Sequence, residues 1–336
     1  MIPKKPVSQT APWLFLALAL AVLCGRAQGQ EKEVTAMTDL PDFNELWDFN
    51  DLAGTEAKFR EILPLAHQSG DLGYLAELMT QIARTQGLQG KSPAAHETLD
   101  QVESILTPAL VKARVRYLLE RGRATNGIPG ATDAEVGARK EKSKPFFEEA
   151  WDVGKEGGEL ALALDAAHMM GIVESPARGL EWNLKAIELA ESTDDEKAGR
   201  WLGPLYNNTG WSYHDKGDFE KALDMFERDI AFRKKTDQIG PMRISRWSKG
   251  RALRSLGRVE EALKIQEELS AERETIGEPS GYVFEEIGEC LKELGRGEDS
   301  KKWFGMAYDL LSKDDWVVKN EADKLKRLKE LGGVGQ

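Results

Sequence analysis

LYNNTGWSYHDKGDFEKALDMFERDIAFR, from Leu205 to Arg233, reads as two helical patterns broken at Lys216-Gly217-Asp218. Gly217 stands where a helix ends in a left-handed cap, a conformation that costs glycine little. Gly210, midway along the first pattern, leaves room for a neighbouring helix to approach closely. Ala222 supplies the same clearance from the second pattern, and Phe226 is expected to fill the gap to the next unit.

The grammar recurs. SRWSKGRALRSLGRVEEALKIQEEL (Ser245–Leu269) places Gly250 for Gly210, Leu253 for Tyr213, Gly257 for Gly217 and Ala262 for Ala222. YVFEEIGECLKELGRGEDSKKWFGMAYDLL (Tyr282–Leu311) supplies Gly288, Leu291, Gly295, Phe304 and Ala307. Weaker units lie upstream, marked by Ala83 with Ala95 and Leu99, Gly122 with Phe147 and Ala150, and Ala167 with Trp182 and Ala186. The marker residues Ala83, Gly122, Ala167, Gly210, Gly250 and Gly288 are spaced 39, 45, 43, 40 and 38 apart.

These residues resemble the tetratricopeptide repeat (TPR) family, whose period is about 34; the longer units here resemble those of kinesin light chain. HEAT-type units have similar lengths but lack this Gly-x-x-Tyr/Leu, Gly, Ala spacing. The resemblance implies an all-α fold: a right-handed α-solenoid of about six helix-turn-helix units with terminal capping helices. The expected layout is a signal peptide over 1–29, a flexible leader over 30–42 and a solenoid over 43–331. Its units fall roughly at 71–107, 108–156, 157–197, 198–238, 239–277 and 278–313, with a cap at 314–331. An incomplete helix around Ala57–Ala66 caps one end, and Trp316–Leu331 reads as one capping helix at the other. Asn126–Thr132 (NGIPGAT) is an insertion between the two helices of its unit.

The signal rests on Lys4 and Lys5, the apolar run Trp13–Leu23 and small residues at Ala27 and Gly29. That run is shorter than the roughly 20 residues needed to span a bilayer, and no other segment reads as transmembrane. The expectation is an exported chain, periplasmic or secreted; a lipid anchor at Cys24 is the minority alternative, since Leu23 is bulky where such signals carry a small residue. The second cysteine, Cys290, sits among apolar helix positions and reads as a small buried hydrophobe.

The formal charge is −11, and loss of Lys4, Lys5 and Arg26 with the signal takes it to −14. Such a chain repels phosphate backbones, which argues against nucleic acid as a partner. No Gly-x-Ser-x-Gly, His-Glu-x-x-His, phosphate-binding loop or Cys-x-x-Cys occurs, and His67, His96, His168 and His214 lack metal-ligand spacing. Neither an enzyme nor a metal or other cofactor is indicated, and the numerous acidic pairs read as solvated helix faces.

In the family that these repeats resemble, first helices line a concave groove that holds protein or peptide segments. Residues one turn either side of the small position face inward: Asn207, Asn208, Trp211 and His214, then Trp247, Arg251 and Arg254. The unit before offers Leu164 and His168, and the one after offers Tyr282, Glu285, Glu289 and Lys292. Asparagine carries both a donor and an acceptor, so Asn207-Asn208 suits a peptide backbone; the kinesin-light-chain likeness implies that role. Arg251 and Arg254 suit a ligand carboxylate, and Trp211 and Trp247 suit an apolar anchor. Each has a plainer reading: tryptophan as core, the asparagines as helix bridges, the histidines as structural, and the arginines as solvated and balanced by Glu260 and Glu261. Trp182, Trp201 and Trp303 are assigned to packing. Asn207-Asn208-Thr209 matches a glycosylation sequon, discounted because it lies within a helix on the groove side. A rival reading is an envelope assembly protein working through its convex face or caps.

Overall fold

The computed structural model describes residues 40–127 and 132–335. The export signal, Cys24, most of the leader, and 128–131 in the long turn lie outside the described residues. Among the described residues all regular structure is helical. Successive antiparallel pairs are α2 (Leu72–Leu88) with α3 (Ser92–Ile105), α4 (Val111–Asn126) with α5 (Asp133–Glu156), and α6 (Leu160–Val173) with α7 (Pro176–Glu191). They continue as α9 (Leu202–Asp215) with α10 (Phe219–Lys235), α11 (Ile239–Ser255) with α12 (Val259–Thr275), and α13 (Gly281–Glu293) with α14 (Gly297–Leu311). Each pair packs on the next, producing an all-helical solenoid in which every unit leans on its neighbours. A four-residue helix, α8 (Glu196–Gly199), is inserted ahead of α9; its N-cap, Asp195, accepts from the Lys197 and Ala198 amides. No described helix is long and apolar enough to cross a membrane.

The turn glycines end their helices as the sequence requires. Gly217, Gly257 and Gly295 have φ of 82°, 74° and 74°, a region that side chains with a Cβ rarely enter. Around Gly217 the Asp218 amide donates to Tyr213 O and the Gly217 amide to His214 O, both at 2.9 Å, closing a Schellman cap.

The small residues give the expected clearance, but the aromatic rings that meet them work differently from the expectation. Phe226 and Phe304 do not chiefly bridge to the next unit; each ring lies over the glycine of its own unit. A Cβ on Gly210 would stand 2.5 Å from the Phe226 ring, and one on Gly288 would stand 2.8 Å from that of Phe304. Phe147 covers Gly122 in the same way, at 2.5 Å. Phe226 still reaches the following unit by sharing a buried cluster with Ala252. Burying each of these rings contributes on the order of 1.5–3 kcal/mol by area, before the entropy of ordering it.

Both ends depart from the expected outline. The N-terminal helix α1 runs over Leu52–Ser69, well beyond Ala57–Ala66, because Asp51 caps it through the Gly54 amide and Gly70 ends it at φ 72°. A single 3-10 turn, Phe43–Leu46, precedes it. Phe43 is buried there, edge-on to Phe59 and Tyr74, and the Tyr74 hydroxyl donates to Pro41 O at 2.7 Å. Pro41 and Asp42, expected in the flexible leader, are therefore already tied to the solenoid. At the other end Trp316–Leu331 is two helices, α15 (Asp315–Asn320) and α16 (Ala322–Leu331). They break at Glu321, whose φ of −127° and ψ of 38° are not helical. The break lets α16 fold back on α14.

Candidate functional site

One stripe of side chains can be followed from first helix to first helix along the solenoid. Arg84 on α2 donates to Glu120 on α4 at 3.1 Å; Arg123, one turn further along α4, donates to Glu120 at 2.6 Å and to Asp165 on α6 at 2.5 Å. His168 Nδ1 on α6 lies 3.3 Å from Asn208 Nδ2 on α9. His214 Nε2 on α9 lies 3.0 Å from Ser255 Oγ on α11. Arg251 and Arg254 on α11 both hold Glu286 on α13, Arg254 Nε at 2.9 Å. Arg327 and Lys324 on α16 then pair with Glu289 and Glu285. Residues spaced by roughly one unit thus meet across every step.

The stripe has two characters. Towards both ends it is ionic and self-satisfied. Burial works against the Arg254 charge, yet Glu286 and Glu293 outweigh it and hold its pKa above the ordinary value. Burial also works against Arg123, and Glu120 and Asp165 likewise keep it firmly charged. Between them, over α6, α9 and the start of α11, the contacts are uncharged. Asn207 Nδ2 reaches Asn208 Oδ1 at only 3.4 Å, and the buried Asn207 Oδ1 has no partner. Trp211 packs on Phe226, His214 and Trp247 at ring distances of 5.4, 5.2 and 5.7 Å. The Trp247 indole donates to Tyr282 O at 3.1 Å. Burial lowers the pKa of both His168 and His214, with Arg123 and Arg251 respectively adding to the effect.

Several sequence expectations need correction. Arg251 and Arg254 do not wait for a ligand carboxylate: Glu286, its side chain 1% exposed, already occupies them. Nor do Glu260 and Glu261 balance them; Glu261 pairs with Arg258 within the first turn of α12. Leu164 is fully buried and belongs to the core, on a helix packed between its neighbours. Trp201 packs against the core as expected and, half-buried with its ring 5.5 Å from that of His168, also borders the uncharged stretch. Thr209 is fully buried, which leaves the sequon threonine inside the fold. Asn207, Asn208, Trp211, His214, Trp247 and His168 do converge on one continuous, half-buried face.

Sequence reasoning missed Glu286, Glu120, Arg123, Asp165 and Arg84. The signal was present: opposite charges recur about one unit apart at Arg84 and Glu120, Arg123 and Asp165, and Arg251 and Glu286. Burial cannot be read from that spacing, however. Trp182, assigned to packing, is buried edge-on to Trp151 at 5.7 Å. Burial drives the Cys290 thiol up to about 12, consistent with an inert core position. Among the described residues no group of three or more His, Cys, Asp or Glu side chains is arranged to hold a metal.

A family model for the tetratricopeptide repeat matches residues 205–236, the unit in which Phe226 covers Gly210. The chain thus carries a tetratricopeptide repeat within an all-helical solenoid. Solved structures share its backbone fold at low identity. The apo form of RapI has a TM-score of 0.64 and 13% identity, over 87% of this chain and 81% of that one. A signal-transduction ATPase with a tetratricopeptide-repeat sensor from Pyrococcus horikoshii has a TM-score of 0.59 and 13% identity, over 82% of this chain and 41% of that one. In sequence, the outer dynein arm-docking complex subunit 4 of Danio rerio is 26% identical over 164 residues, covering 46% of this chain and 32% of that protein. The chain thus spans about a third or less of the length of the curated relatives it matches. The likeness to the solved structures shows the fold alone.

Proposed function

We propose that this repeat protein is an exported, non-catalytic scaffold that holds an extended peptide or protein segment along its first-helix face. The observation that carries the reading is the uncharged interval between two ionic stretches. There, Asn207 keeps a buried acceptor unpartnered beside Asn208, Trp211 and Trp247. A buried amide oxygen without a donor is costly, and a peptide N–H would supply one once the half-buried Asn207 side chain turns outward. Elsewhere on the stripe the polar groups already have intramolecular partners, so a ligand gains least there. Export rests on the Lys4-Lys5 and Trp13–Leu23 signature.

The test is affinity capture from the envelope and secreted fractions with the chain from Gln30, beside an Asn207→Ala/Asn208→Ala variant of unchanged helicity. The captured partner is then mapped to a synthetic peptide. Each lost hydrogen bond is worth about 0.5–1.5 kcal/mol, so the variant should bind that peptide about tenfold more weakly. Equal affinity for both proteins would move the interface to another face. A variant in which Arg251 alone is truncated makes a poor probe, because it strips Glu286 of a partner.

A further inference from the structure

A cleft of about 300 Å³ opens where α11, the end of α12 and the start of α13 meet. Ile244, Trp247, Leu269 and Val283 give it an apolar lining. Ile244 is 57% exposed at its edge, so its side chain is within reach of a partner. Two arginines border the cleft, and their situations differ. Arg243 is neutralised by Glu272 at 2.8 Å. Arg273 donates Nε to the Glu278 carbonyl at 2.9 Å, and among the described residues no carboxylate pairs with it. An apolar cavity of one-side-chain size therefore stands beside a cation whose charge the fold leaves uncompensated.

We propose that this cleft is a docking pocket for one bulky apolar side chain of a partner segment, with a carboxylate next to that side chain held by Arg273. A basic segment would bring like charge to Arg273, and a purely apolar one would leave it facing dry surface; an acidic, apolar segment satisfies both features. The inference rests on the reading of the first-helix face as a peptide site, since Trp247 borders both. It adds to that face a side-chain anchor and a charge preference, carried by residues at the C-terminal end of a second helix.

The full chain from Gln30, labelled at isoleucine methyl groups, is titrated with N-acetylphenylalanine and separately with N-acetylphenylalaninamide, and the Ile244 methyl resonance is followed. The expected result is a saturable shift at Ile244, with the carboxylate probe binding roughly threefold tighter than the amide, the size of a solvent-exposed ion pair. Arg273→Gln should abolish that difference at an unchanged melting temperature, and Arg273→Lys should restore part of it. An unmoved Ile244 signal with both probes, or equal affinities of both probes for the parent protein, would overturn the proposal. The asparagine variant leaves this pocket intact. Loss of asparagine-dependent capture with normal Ile244 shifts would thus retire the groove reading alone, and the converse would retire only the pocket.

Discussion

The α9–α10 and α11–α12 units have the same helix lengths on the second helix, the same left-handed glycine at the turn and a glycine at the same point of the first helix, but they fill that point with different chemistry. In the former, sixteen residues after Gly210, Phe226 closes the contact with an apolar ring. In the latter, sixteen residues after Gly250, the fully buried Gln266 takes its place. Its Nε2 donates to Trp247 O at 3.1 Å, while its Oε1 has no partner. The family model recognises the first of these units, yet the backbone builds both. The small residue and the capping glycine are what let two helices pair; the residue that fills the gap decides how firmly they hold.

That contrast can be broken most forcefully at Phe226. Phe226→Ala should cost about 3–5 kcal/mol, since it empties a fully buried site against Gly210. Gln266→Ala should cost clearly less, because the alanine also removes an unsatisfied acceptor. Chemical denaturation of the two variants reads this directly, and equal losses would mean that the two sites are energetically alike. A smaller effect of opposite sign is expected from Gln266→Met, which keeps the unbranched shape and deletes the orphaned oxygen. It should stabilise by about 1 kcal/mol, and a destabilised variant would show that the bond to Trp247 outweighs the orphan.

The smallest effect is in pH. His214 links the two units through Ser255, and burial depresses its pKa below the ordinary value near 6.5. The folded state thus resists a proton that the unfolded chain accepts. The contribution is complete above pH 6.5 and is lost as pH falls below that value towards the depressed folded pKa. Melting temperatures between pH 7.5 and 5.5 should fall less steeply for His214→Gln than for the parent. Parallel slopes would exclude His214 from the link.

Much of this was legible in the chain. Gly217, Gly257 and Gly295 announced the turns, because a left-handed helix end has a strong preference for glycine, and the spacing of small residues announced the repeat. Asn207, Asn208, Trp211 and Trp247 fell on one face because helical periodicity fixes direction. Boundaries were less legible: α1 begins earlier than its apolar pattern suggests because a cap at Asp51 extends it, and the terminal cap breaks at Glu321 although its sequence reads as continuous helix.

By itself the sequence determined the all-helical repeat and the orientation of its helix faces, since period, caps and small residues act over one or two turns. Which charges are free was decided only by the tertiary structure. Arg251 and Arg254 read as a ligand grip until α13 brings Glu286 into contact, and only the folded chain sets Arg273 beside an apolar cleft. Helical preference is a local property, whereas burial and pairing depend on side chains some 30 to 40 residues away, arriving from the next unit.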